Sequence, residues 1–265
     1  MNVIFLGDIV ARPGRESVRF LIDKLKKRYK ADFVIANAEN LAHGKGVTYK
    51  TLQEVREAGV DFFTSGNHIW KKEGKDILQD KAVPLIRPAN YPKAVTLGSG
   101  FKLVDVLTKR LAVINLIGRT FFRNHYDCPF LKADQILKEL EKHFVDGIIV
   151  DFHCEATSEV KALGYYLDGR VSAVIGTHSH VQTADAELLP NKTAYISDAG
   201  MCGIKYSVLG RDKEEVLEAF LKQDSVCANW YNDWELGTVQ GVVVGLKNSK
   251  AAIFIERIYE DVLNK

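Results

Sequence analysis

GIIVDFHCEATSEVKALGYYLDGRVSAVIGTHSH (147–180) decides the fold. Residues 147–153 and 171–177 are short apolar runs rich in strand formers, and a helix near 156–166 separates them. Two strands joined through a helix lie parallel, because the crossover returns the chain over the sheet before the next strand starts. His153 closes the first run, and His178 and His180 follow the second. Open α/β sheets place their sites in loops beyond the carboxyl ends of parallel strands. In extended chain His178 and His180, two residues apart, project to one face.

The same rhythm extends in both directions. Residues 2–7 (NVIFLG) read as a strand; Pro13 suits the first turn of a helix that carries Val18, Leu21, Ile22, Leu25 and Tyr29 on one side. A second run, 33–38 (FVIANA), precedes a turn with Gly44 and Gly46 and a helix from Thr48 to Ala58 capped by Gly59. A third run, 60–65 (VDFFTS), follows. Pro84, Pro88 and Pro92 exclude long regular structure over 84–92. Beyond them, 101–107 and 111–117 pair across Thr108–Arg110, and a helix occupies 131–144. A short strand at 194–198, a helix at 213–222, and a hairpin of 238–246 with 251–258, turning at Asn248–Ser249, complete the chain. The buried runs predict a largely parallel sheet and the hairpins a second one. The fold class is α/β: a four-layer α/β/β/α sandwich of two mixed sheets flanked by helices, in a single domain over 1–265.

Composition removes several alternatives. The chain has 265 residues with 36 basic and 34 acidic side chains, so no charge excess calls for nucleic acid or an anionic membrane. The apolar runs are too short to span a bilayer, and Asp8 interrupts the first of them. A cytoplasmic location is expected. Cys128, Cys154, Cys202 and Cys227 form no C-x-x-C pair and read as reduced packing thiols.

Polar residues recur at the ends of the apolar runs: Asp8, Glu39 and Asn40, Asn67 and His68, His153, then His178 and His180. Taken singly, Asp8 or Asn67–His68 is a turn former. Five segments delivering such groups to one sheet edge make a metal centre. Carboxylates, amides and imidazoles, with Cys154 the one thiolate at a strand end, favour Mn, Fe or Zn over Ca or an iron–sulfur cluster. The set exceeds the needs of one ion, and two ions suit in-line displacement at phosphorus. HGKGVT (43–48) has the wrong order for a phosphate loop, and no G-x-S-x-G elbow is present.

The ordered set GD (7–8), AEN (38–40), GNH (66–68), DFHCE (151–155) and GTHSH (176–180) resembles the calcineurin-like metallophosphoesterases. GDIVARPGR (7–15), IANAEN (35–40), TSGNHIW (64–70), THSHVQTAD (177–185) and ISDAGM (196–201) are similar to the bacterial 2′,3′-cyclic-nucleotide 2′-phosphodiesterase family, called YmdB-like, over essentially the whole chain. Val10 stands where the broad superfamily has histidine, and Ala38–Glu39 where it has Gly-Asp; both belong to the narrower pattern. Cys154, Ala11 and the loop 203–206 depart from that narrower pattern.

The resemblance implies one metal held by Asp8, Glu39, Asn40 and His180, and a second by Glu39, Asn67, His153 and His178. His68 then serves as proton donor to the leaving oxygen, which suits an imidazole facing an alkoxide. Asp151 and Glu155 are expected to orient His153. Arg119 either contacts substrate phosphate or is solvated or structural; His43, near Gly44 and Gly46, either lines the pocket or is a surface residue, and His125 and His143 read as surface residues. The expectation is therefore a dinuclear phosphodiesterase loaded with Fe or Mn, with Zn as a further option, acting on a small cyclic nucleotide. It binds no nucleic acid stably, touches no membrane and forms a homo-oligomer. The rival readings are another phosphoester substrate on the same metals, or a regulatory protein that retains the site.

Overall fold

The computed structural model describes all residues except 93, 95, 96, 226–228, 231–233, 248, 249 and 265. The expected turn at Asn248–Ser249, and Cys227, lie outside the described residues. In chain order the elements are β1 (Asn2–Ile9), α1 (Ala11–Tyr29), β2 (Phe33–Asn37), α2 (Tyr49–Ala58), β3 (Phe62–Thr64), α3 (Gly74–Gln79), β4 (Phe101–Val106) and β5 (Lys109–Ile117). There follow α4 (Pro129–Leu140), β6 (Gly147–His153), α5 (Thr157–Leu167), β7 (Ala173–Thr177), β8 (Glu187–Leu188) and β9 (Ala194–Ile196). The last are β10 (Met201–Ile204), α6 (Lys213–Leu221), β11 (Leu236–Leu246) and β12 (Ala252–Leu263).

The strands form two six-stranded sheets, β12-β11-β10-β1-β2-β3 and β4-β5-β6-β7-β9-β8. This corrects the division expected from sequence, in which the hairpins made the second sheet. Instead each sheet has its own parallel core, with the β11–β12 hairpin extending the first and β4 extending the second. Strand periodicity explains how the layers stack. Ile4 and Leu6 pack against α1 and α2, whereas Val3 and Phe5 face the other sheet. In β6, Ile148, Val150 and Phe152 pack on the α4–α5 side and Ile149 faces inward. Three apolar interlayers therefore separate four layers, helix–sheet–sheet–helix.

Local signals behave as their chemistry requires. Thr48 caps α2 by accepting from the Thr51 amide, and Thr51 answers the Thr48 amide. Gly59 ends that helix at φ 116°, a left-handed conformation that suits glycine. The helix expected to reach residue 144 stops at Leu140, because residues 141–144 are all exposed and have no face to bury. The short elements α3, β8 and β10 carry too few residues to show a period, so the sequence reading does not include them. Among the described residues no helix is long and apolar enough to cross a membrane.

Candidate metal centre

The carboxyl ends of β1, β2 and β3 from one sheet meet those of β6 and β7 from the other. The site edge is thus shared by two sheets, which corrects the single edge expected from sequence. Between Leu6 and Asp8 the β1–β2 register shifts at Gly7, a bulge that re-aims the Asp8 carboxyl. Only glycine fits there, since a Cβ would stand 2.0 Å from the Gly200 carbonyl oxygen. Ala11, the departure from the family's glycine, stands at φ 53°, the left-handed region where glycine is unstrained.

All eight predicted residues come together. Glu39 Oε1 lies 3.2 Å from His153 Nε2 and 3.2 Å from His68 Nδ1. His153 Nε2 is also 3.2 Å from Asn67 Oδ1 and 3.0 Å from His178 Nδ1. On the other side Asn40 Nδ2 is 3.3 Å from Asp8 Oδ1 and 3.1 Å from His180 Nε2. Asp8 Oδ2 accepts from the His178 amide at 3.0 Å. Asp8, Glu39, Asn40 and His153 are buried, and His68 keeps 25% of its side chain exposed.

The outer nitrogen of each of three histidines decides what its inner nitrogen offers. Thr177 donates its hydroxyl to Asp151 at 2.8 Å, so it accepts from His153 Nδ1 at 3.0 Å and leaves Nε2 with a lone pair. Leu209 carbonyl oxygen, 3.0 Å from His180 Nδ1, does the same for His180. Glu155 Oε2, 2.8 Å from His178 Nε2, fixes the opposite tautomer and turns the Nδ1 lone pair inward. His68 differs: its Nδ1 faces the Glu39 carboxylate oxygen Oε1 at 3.2 Å, an acceptor whichever way the Asn40 amide is turned, and is therefore held as a donor.

Charge follows the same geometry. Burial lifts Asp8 to about 7, against the attraction of His153. Burial would also raise Glu39, but His153 and His68 hold it well below the usual carboxylate range. Burial works against a charge on His153, yet Glu39 and Asp8 outweigh it and lift the ring to about 9. Burial and the neighbouring His153 push His178 down to about 3. The lone-pair atoms of Glu39, His153 and His178 lie within 4.8 Å of one another, a group able to hold a metal ion. One proton on His153 cannot satisfy three acceptors at once, whereas a cation with nitrogen and oxygen ligands can. The donor set fits a transition metal.

Several sequence expectations change. His178 and His180 stand at φ 113° and 64°, so the chain is not extended there. Their rings diverge, one toward His153 and the other toward Asp8 and Asn40. Glu155 touches His178 rather than His153, and Asp151 reaches His153 only through Thr177. Arg119 gives its amide to Glu159 and is exposed, as are His43, His125 and His143. Cys154 Sγ turns toward Ala156 and Glu159 on the helix side of β6.

Three residues of the site went unread. Thr177 is one; Asn37, which donates to Asp151 at 3.0 Å, is another. The third is Asp198, which accepts from the amides of Ser179 at 2.8 Å and Gly200 at 2.7 Å and so ties down the histidine-bearing turn. Asp198 had a signal, an acid closing the strand-like run 194–198, but its partner is distant in sequence.

The sequence and the fold have counterparts. The 2′,3′-cyclic-nucleotide 2′-phosphodiesterase of Bacillus subtilis is 47% identical over 261 residues, 97% of this chain and 96% of that protein. A novel phosphatase of Mycoplasma pneumoniae superposes with a TM-score of 0.90 at 33% identity, covering 98% of this chain and 93% of the other. A hypothetical protein of Thermus thermophilus gives 0.89 at 36% identity, with 98% and 99% covered. Since residues 4–258 match the family described as YmdB-like protein, the chain belongs to that family.

Proposed function

We propose that the chain is a metal-dependent phosphodiesterase that opens 2′,3′-cyclic nucleotides by hydrolysing the bond to the 2′ oxygen. The observation that carries this reading is the division of the donors into two sets, with Glu39 beside His153 in one of them. Asp8, Asn40 and His180 lie to one side, and Asn67, His153 and His178 to the other. Each of the three histidines offers a lone pair inward, so one ion would be held by Glu39, Asn67, His153 and His178 and a second by Asp8, Asn40 and His180, with Glu39 as a ligand common to both. Ligation by Asn40 needs Oδ1 where Nδ2 stands, and a half-turn of the amide exchanges the two. The named activity of the Bacillus relative supports the substrate class.

When bound, two such cations draw charge from the phosphoryl oxygens and ease the loss of a proton from attacking water. The chain does the rest. Asp151, Thr177, Glu155 and the Leu209 carbonyl hold the imidazoles in their ligating tautomers. With its Nδ1 hydrogen engaged, His68 uses Nε2 to give a proton to the 2′ oxygen as the P–O2′ bond breaks. Water supplies the new P–O bond, and the product is a nucleoside 3′-phosphate.

A substrate panel tests this reading. Purified enzyme given 2′,3′-cyclic AMP is expected to form adenosine 3′-phosphate, and a chelator is expected to stop it. Turnover of phosphomonoesters alone would favour the phosphatase reading that the Mycoplasma relative's name supports. Retained metals without turnover of any phosphoester would favour a regulatory protein. Iron or manganese ahead of zinc, a single domain over 1–265, a cytoplasmic location and a homo-oligomer belong to this proposal. Elemental analysis, limited proteolysis, fractionation and sedimentation test them.

A further inference from the structure

The loop from Gly118 to Tyr126 is anchored at both ends and carries two consecutive phenylalanines. At its start Glu159 accepts from the amides of Arg119 and Thr120, each at 3.0 Å. Asn90 binds Ile117 and the Asp127 carbonyl on either flank. Phe122 turns inward, its ring centroid 5.0 Å from that of His178, and edge-to-face contacts continue through Tyr126, Tyr91 and Trp70. Phe121 does the reverse. It is 82% exposed and stands at φ 66°, a left-handed conformation that is unfavourable for a bulky side chain.

A lone exposed phenylalanine is ordinary. One held in strained backbone, on a clamped loop, next to a residue packed on a candidate metal histidine is not. Strain of that kind persists where the surrounding structure imposes it, and it gathers at ligand sites. A planar ring with a free face binds another planar ring, and every nucleobase has one. Arg119 and Arg123, both exposed on this loop, suit an anionic ligand.

We propose that the 118–126 loop is the nucleobase subsite of this enzyme. Phe122 sets the loop against His178, and Phe121 stacks on the base while the cyclic phosphate lies at the metal centre. This inference rests on the cyclic-nucleotide reading above. It adds the residue by which a nucleotide is told from any other cyclic phosphodiester.

The test compares 2′,3′-cyclic AMP with glycerol 1,2-cyclic phosphate, which has the strained ring and no base. Phe121→Ala is expected to lower the ratio of kcat/KM for the nucleotide over the glycerol ester by about fivefold to 100-fold, chiefly through KM. Phe121→Tyr is expected to restore the ratio. Phe144→Ala, at another highly exposed phenylalanine, is the control and should match wild type. An unchanged ratio in Phe121→Ala, or no rescue by tyrosine, would overturn the subsite while leaving the phosphodiesterase reading in place. Wild-type enzyme that opens the glycerol ester and ignores the nucleotide would overturn the nucleotide reading itself, and the subsite with it.

Discussion

His68 carries the division between chemistry and metal binding. Its Nδ1 is as close to Glu39 Oε1 as His153 Nε2 is, so distance alone does not separate a proton donor from a ligand. Hydrogen placement does: Thr177 takes the outer hydrogen of His153 and leaves its Nε2 a lone pair, whereas His68 keeps its hydrogen on Nδ1, where the Glu39 carboxylate accepts it. His68→Ala is therefore expected to keep its metals and to lose about 10²- to 10⁴-fold in kcat on a substrate with an alkoxide leaving group. Bis(4-nitrophenyl) phosphate, whose leaving group needs little protonation, should show a smaller loss. Metal loss, or equal losses on both substrates, would make His68 a ligand or a binding residue. Gly66 offers a second test, because an added Cβ would lie 2.0 Å from Glu39 Oε2 and 2.4 Å from His153 Nε2. Both side chains are buried and must shift. Gly66→Ala is expected to fold and to bind metal at least about tenfold more weakly in a chelator competition, a typical scale for disturbed ligand support. Wild-type affinity would show that the pair relaxes freely.

At the scale of elements, the turn after β7 is the least regular part of the centre. His178 and His180 both hold positive φ within three residues, which neither a strand nor a helix would maintain. Carboxylates hold the turn in place: Asp8 takes the His178 amide and Asp198 the Ser179 amide. Asp198→Ala removes one of these anchors without touching a candidate ligand. We expect about 10- to 100-fold weaker metal binding, with the asparagine variant intermediate because it keeps one acceptor oxygen. Equal affinity in all three proteins would show that Asp8 alone suffices. Thr48→Ala, which removes the α2 cap far from this turn, should cost about 1 kcal/mol of stability and leave metal affinity unchanged. A thermal melt and the same chelator competition separate the two outcomes.

Across the whole molecule, the two sheets are joined under the site by polar groups rather than apolar ones. Asn37 reaches Asp151 and Thr177, and the Ser65 amide reaches Asn115 Oδ1 at 3.0 Å. Burying so many titratable groups couples stability to pH. Burial raises Asp8 and Asp198 to about 7, while Glu39 and Asp8 overcome burial to raise His153 to about 9. All three keep protons in the folded chain that the unfolded chain has released. His178 and His180, lowered by burial, oppose this only below the ordinary histidine value of 6.5. The melting temperature of metal-depleted protein should thus fall as pH rises from about 6.5 to 9. Saturating manganese should flatten that slope, since the cation takes the place of the His153 proton. Parallel slopes with and without metal would refute this linkage.

The sequence by itself determined the alternation of runs and helices, because burial on a sheet imposes a period of two and a helix a period of 3.6. It also marked the candidate site residues, since Asp8, Glu39, Asn40, Asn67, His68, His153, His178 and His180 each end or follow a run. Such features are local. Only the tertiary structure decided that the parallel strands divide between two sheets, and that the site belongs to both. It alone set Glu155 on His178, passed Asp151 to His153 through Thr177, and tied Ser179 to Asp198. Strand pairing and tautomer depend on what lies across a gap, and a residue's neighbours in space are not its neighbours in the chain. Asn37 and Asp151 are 114 positions apart, and no periodicity in one strand records its contact with the other.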